Sequence, residues 1–106
     1  MKKILFVCNA NMQRSPTAEE IYKNDKRYSV KSAGVWEGSK NLLTEELLEW
    51  ADIVFVMEKR QKEYIEERFS RQYRSKFIVS LNIPDVYYFM DPGLVELIKE
   101  RVKGYI

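Results

Sequence analysis

Three short stretches of this chain, Ile4-Leu5-Phe6-Val7, Ile53-Val54-Phe55-Val56-Met57 and Phe77-Ile78-Val79, are apolar without a break and rich in β-branched and aromatic residues. A strand with one face in water alternates, whereas a strand that is apolar at every position must be covered on both faces, the usual condition of a parallel sheet. Tyr28-Ser29-Val30-Lys31-Ser32 does alternate, which suits an edge strand. Helical patterns lie between the strands. Ser15 reads as an N-cap with Pro16 at the first helical position, followed by Ala18, Ile21 and Tyr22 on one face. Leu43, Leu47, Trp50 and Ala51 form a second stripe, and Ile65 and Phe69 anchor a third helix. Asp91-Pro92 opens a fourth, with Leu94, Val95, Ile98 and Val102 inward. The order is β-α-β-α-β-α-β-α. Right-handed crossovers, with the alternating strand at an edge, predict an α/β fold: an open parallel four-stranded sheet in the order 2-1-3-4, with helices on both faces. At 106 residues, without repeats or a linker, residues 1–106 are expected to form one domain.

Composition narrows the chemistry. The chain has no histidine, so Ser/His and Cys/His catalytic pairs and the usual zinc sites are excluded. Its one cysteine, Cys8, leaves no intramolecular disulfide and no Cys-x-x-Cys site, which fits a reducing compartment. The apolar run Ile4–Val7 is far shorter than the ~7 to 15 residues of a secretory leader, and no run approaches the ~20 of a membrane span. The expectation is a cytoplasmic protein with no membrane partner and no metal or other cofactor. Lys59 to Lys76 is rich in Lys and Arg, but Glu63, Glu66 and Glu67 interrupt it. That stretch reads as a solvated helix face rather than a nucleic-acid surface.

In a 2-1-3-4 sheet the winding reverses at strand 1, and ligands bind beyond the carboxyl ends of the strands at that point. The sequence there is Cys8-Asn9-Ala10-Asn11-Met12-Gln13-Arg14-Ser15-Pro16. A strand that passes through six residues into a helix start can curl its successive N–H groups around an anion. A cysteine at the bottom of such a cradle, beside a guanidinium, is favoured as thiolate over thiol and needs no histidine to activate it. Arg14 carries a planar fork of donors that can grip two phosphate oxygens and hold phosphorus over the sulfur. Asn9, Ala10, Asn11, Met12, Gln13 and Ser15 would form and support the cradle. Cys-x5-Arg at this place is the geometry of phosphoryl transfer.

These residues resemble the low-molecular-weight protein tyrosine phosphatases, whose phosphate loop near the N-terminus reads Cys-x5-Arg-Ser-Pro. The resemblance extends to Ser32-Ala33-Gly34, to Ala51-Asp52-Ile53-Val54-Phe55-Val56-Met57 and to an aspartate-aromatic segment before the last helix. It implies Cys8 as nucleophile, Arg14 as phosphate clamp, Ser15 as a hydrogen-bond donor to the sulfur, and Asn11 in a left-handed conformation that holds the loop open. It also implies a phosphorylated protein or aryl phosphomonoester as substrate, with phosphotyrosine foremost, and inorganic phosphate as product. Apolar Met12 resembles the tyrosine-directed members, since arginine phosphatases favour threonine there. Ala10 stands where the family often has glycine, so its φ must stay negative or cost ~1 kcal/mol. Gln13 replaces the loop's usual second cysteine.

The leaving oxygen needs a proton, and two carboxyl groups compete to supply it. Asp91-Pro92-Gly93-Leu94 is fully explained as a helix start. Asp85, after Ile83-Pro84 and before Val86-Tyr87-Tyr88, has no such role, so Asp85 is preferred as the acid. Trp36, Tyr87 and Tyr88 would wall the substrate pocket, with Trp50 in the core. Two other readings stay open: a cysteine phosphocarrier of the sugar-transport IIB type, against which Arg14 argues, and a phosphate-recognition module without turnover.

Overall fold

A computed structural model describes residues Met1–Ile106. Its elements are β1 (Lys2–Cys8), α1 (Arg14–Tyr22), β2 (Tyr28–Gly34), α2 (Glu45–Trp50), β3 (Ile53–Val56), α3 (Lys59–Arg68), α4 (Ser70–Ser75), β4 (Phe77–Ser80) and α5 (Pro92–Val102). All strand pairs are parallel and the order is β2-β1-β3-β4.

The pleat explains why the central strands are apolar throughout. Successive side chains point to opposite faces, so Ile4, Phe6 and Cys8 of β1 join Ile53 and Phe55 of β3 in a cluster with Ala18, Leu94, Ile98 and Val102. Leu5, Val7, Val54 and Val56 face the other way, against Leu43, Leu48, Ala51 and Ile65. Helices α1 and α5 therefore cover one face, and α2 and α3 the other. Each face is a separate core, and β1 and β3 contribute to both.

Four local features differ from the sequence pattern. Helix α1 starts two residues earlier than expected, at Arg14 rather than Pro16, with Gln13 instead of Ser15 in the capping position and no side-chain cap. The Ser15 hydroxyl is drawn into side-chain bonds instead, and Pro16 still falls in the first turn, where an N–H has no partner to lose. Leu43 lies outside α2, because Thr44 caps that helix by accepting from the Leu47 amide. The cap sets the helix phase so that Leu48, fully buried, is its inward residue, while Leu47 and Trp50 pack at the margin. On α5 it is Leu97 rather than Val95 that packs at the margin of the core. Finally, α4 is an extra turn after α3, and β4, paired only to β3, is an edge strand whose Phe77 is exposed.

Candidate active site

The carboxyl ends of β1, β2 and β3 meet at the loop Asn9–Gln13, because β1 lies between β2 and β3. Its carbonyls are tied outward: Cys8, Asn9 and Ala10 accept from the backbone amides of Val35, Trp36 and Lys40. The N–H groups of Ala10, Asn11, Met12 and Gln13 have no partner within the protein. Unpaired amides in sequence at a helix N-terminus are the groups that bind an anion. The loop is held open at Asn11, whose φ of 56° is left-handed, a conformation asparagine tolerates better than most residues. Ala10 does not have positive φ, so alanine costs nothing there on that account.

Close approach of β2 fixes the loop from behind. A Cβ on Gly34 would lie 2.6 Å from the Asn9 carbonyl oxygen and 2.8 Å from the Asn11 nitrogen. Both are backbone atoms, so only glycine fits. Buried side chains complete the frame. Asn11 Nδ2 donates to Ser15 Oγ at 2.9 Å and to Ser32 Oγ at 3.0 Å, and Asn9 Oδ1 accepts from Gln61 Nε2 at 2.8 Å.

Cys8 Sγ lies 2.9 Å from Ser15 Oγ. Although only 2% of Cys8 is exposed, it opens on a narrow hollow whose other walls are Ala10, Met12, Gln13, Arg14 and Asp85. Arg14, itself 1% exposed, is fastened through one terminal nitrogen: Nη1 donates to Glu58 Oε1 at 2.7 Å and to the Ile83 carbonyl at 2.8 Å. A buried guanidinium needs such partners to repay its desolvation, and anchoring Nη1 leaves Nη2 and Nε for the hollow. Nε is 3.7 Å from Asp85 Oδ1. The segment carrying Asp85 is itself held at both ends. The Ile83 amide donates to the Met57 carbonyl, and the Met90 amide donates to Thr17 Oγ1 on α1.

Asp91 is elsewhere engaged, accepting from the Gly93 amide at 2.8 Å as the N-cap of α5. Of the two carboxyl groups weighed in the sequence, only Asp85 lines the hollow. The three aromatic residues expected as pocket walls do not line it. Tyr87 packs at the margin of the α1–α5 core, Tyr88 is 78% exposed, and Trp36 borders a separate shallow groove with Leu42, Tyr64 and Arg68. Glu58 and Gln61 were missed by sequence reasoning. A charged residue directly after the apolar run of β3, at the sheet end where Cys8 lies, was the available signal for Glu58.

No family model matches the chain. It is similar to the protein-arginine-phosphatase of Bacillus subtilis strain 168, with 34% identity covering 69% of this chain and 66% of that protein, so it spans about two-thirds of that relative's length. A crystal structure of a YwlE mutant from Bacillus subtilis superposes with a TM-score of 0.74 at 26% identity, covering 99% of both chains. SP-PTP, a low molecular weight protein tyrosine phosphatase from Streptococcus pyogenes, shares the fold with a TM-score of 0.78 at 20% identity, over 99% of this chain and 91% of that one. With the Cys8 loop, the sheet order and these likenesses together, the chain belongs to the low-molecular-weight protein tyrosine phosphatase family of hydrolases.

Proposed function

We propose that this protein hydrolyses phosphate from modified protein side chains through a cysteinyl-phosphate intermediate. The observation that carries the reading is the row of unpartnered amides from Ala10 to Gln13 beside a buried sulfur and a fastened guanidinium. In the first step Cys8 Sγ attacks phosphorus in line. The S–P bond forms as the bond from phosphorus to the leaving oxygen breaks, and Asp85 gives that oxygen its proton. In the second step Asp85 takes a proton from water, whose oxygen bonds to phosphorus as the S–P bond breaks, returning Cys8 as thiolate and releasing inorganic phosphate. The loop amides and Arg14 stabilise the three equatorial oxygens in both steps. These donors are in place before the substrate arrives, so little reorganisation is left for the reaction.

Phosphotyrosine is the substrate we favour. Met12 is 65% exposed at the mouth of the hollow, and Tyr88, on the Asp85 segment, is more exposed still. Together they offer apolar surface to a flat leaving group. Trp36 and Tyr87 would act one step further out, Trp36 against the protein that carries the phosphate and Tyr87 as a support for the Asp85 segment. Phosphoarginine is a second reading, favoured by the activity of the Bacillus relative and by Asp85, whose partly exposed carboxylate beside the hollow could receive a guanidinium.

Steady-state assays on aryl phosphate, phosphotyrosyl peptide and phosphoarginyl peptide test both. Turnover of the favoured substrate should fall by a factor on the order of 10⁴ or more in Cys8→Ser, with phosphate still bound. Unchanged turnover in Cys8→Ser would refute the mechanism. A long-lived phosphocysteine in the wild type without release would point to a phosphocarrier.

A further inference from the structure

Beside the loop a polar cleft of about 380 Å³ opens, lined by Asn11, Glu19, Ser32, Lys31 and Lys40 among others. From it a continuous chain of side-chain hydrogen bonds runs inward to the sulfur. Ser32 Oγ donates to Glu19 Oε1, Asn11 Nδ2 donates to both Ser32 Oγ and Ser15 Oγ, and Ser15 Oγ lies 2.9 Å from Cys8 Sγ. No step of the proposed mechanism uses Glu19.

The chain has a direction, because each hydroxyl has one proton. A carboxylate only accepts, so Ser32 must spend its proton on Glu19. Ser32 Oγ can then only accept from its other side, which requires Asn11 to present Nδ2 rather than Oδ1. That nitrogen gives its second proton to Ser15 Oγ. Ser15 is left with its own proton for Cys8 Sγ, the only competitor being the Ala33 carbonyl at 3.3 Å. Without an acceptor at the Glu19 end, the Ser32 proton can turn inward. The Asn11 amide then flips, Ser15 donates to Asn11 Oδ1, and the sulfur loses its donor. The first polarity suits a sulfur anion and the second a neutral thiol.

We infer that Glu19 is a positioning residue whose carboxylate, through Ser32 and Asn11, directs the Ser15 proton onto the Cys8 sulfur. This rests on the reading of Cys8 as nucleophile. Its test is therefore alkylation of Cys8 by iodoacetamide, which needs no substrate.

Glu19→Met keeps the side-chain bulk and removes the acceptor. At neutral pH it should alkylate about tenfold more slowly, the effect of one charge-assisted hydrogen bond. In strong base, where every thiol is ionised, it should match the wild type; a blocked or distorted site would be slow at both. Glu19→Gln retains an oxygen that can accept from Ser32 and should recover most of the rate. Ser32→Ala should reproduce the Glu19→Met loss, and the double variant should be no slower than either alone, because both break one chain. Glu20→Gln, one residue along α1 and paired with Lys23, should alkylate like the wild type. Alkylation of Glu19→Met at the wild-type rate, or losses in Glu19→Met and Ser32→Ala that multiply, would overturn the inference. If Glu19→Met fails to fold, a wild-type rate in Ser32→Ala overturns it equally. A wild type that alkylates quickly yet turns over no phosphoester would sink the proposed function and leave the relay to be decided by the same rates.

Discussion

The floor of the site and its rim are built on opposite terms. At the floor, Asn9, Asn11, Arg14, Ser15, Ser32 and Gln61 are all buried, and every buried side-chain polar atom finds a partner. At the rim, Met12 and, on the Asp85 segment, Val86, Tyr88 and Phe89 are large apolar side chains left in solvent. A buried polar network is stable only when complete, since each orphaned group costs about 1 to 3 kcal/mol, so the floor has one arrangement. Exposed apolar residues carry no such constraint and can follow different substrates. On the proposed function, the floor would fix the chemistry and the rim would select the leaving group.

The largest effect that would sharpen this contrast lies where floor and rim meet, at Asp85. Asp85→Asn should lower kcat for an alkyl or tyrosyl phosphate by about 10² to 10⁴, and much less for an activated aryl ester that leaves without a proton. Asp91→Asn, which alters only a helix cap, should leave kcat near wild type. A large kcat loss in Asp91→Asn alone would mean that the wrong carboxyl group has been placed in the reaction.

Next comes the floor's backbone. Gly34→Ala forces a Cβ onto two backbone atoms of the loop and should destabilise the protein by about 1 to 3 kcal/mol, read as a lowered midpoint in urea, with weaker phosphate binding. Unchanged phosphate affinity would show that the loop tolerates movement and would erase the contrast. At the rim, Tyr88→Ala should raise KM for an aryl substrate several-fold while the urea midpoint stays put, because a ring this exposed contributes little to packing.

The smallest effect is expected at the turn between α1 and β2, at the end of the sheet opposite the Cys8 loop. There Arg27 hydrogen-bonds the Asp25 carboxylate through both side chain and backbone, holding its pKa down at about 2. A carboxyl group with a lowered folded pKa stabilises the fold above its unfolded value of about 3.9, and that contribution is lost as pH falls toward 2. Asp25→Asn should therefore flatten the dependence of Tm on pH between about 4 and 2 and leave turnover unchanged. Because the pair lies at the surface, with Arg27 largely in solvent, the shift in Tm should be small.

Much of this was legible in the chain alone. The unbroken runs at Ile4–Val7 and Ile53–Met57 can be satisfied only between two layers, which fixed a parallel sheet and, with crossover handedness, its order. Cys8, Arg14 and Ser15 were legible because strand, loop and helix start are local and their spacing is short. Asp91 could be set aside for the same local reason, its role as a cap. What escaped were relations between segments distant in sequence. Thr44, by capping α2, moved its buried stripe to Leu48. Nothing in the sequence near Trp36, Tyr87 or Tyr88 tells that the hollow receives none of them.

Residue types and local spacing thus determined the layers, the loop between β1 and α1 and the sulfur at its base, since periodicity, capping and loop length act over a few residues. Only the tertiary structure decided that Glu58 fastens Arg14 across 44 positions, that Gln61 reaches Asn9 across 52, and that Glu19 and Ser32 join in one chain with Cys8. Hydrogen-bond partners of buried polar groups are chosen by whatever packing brings within about 3 Å, and no local pattern encodes that choice.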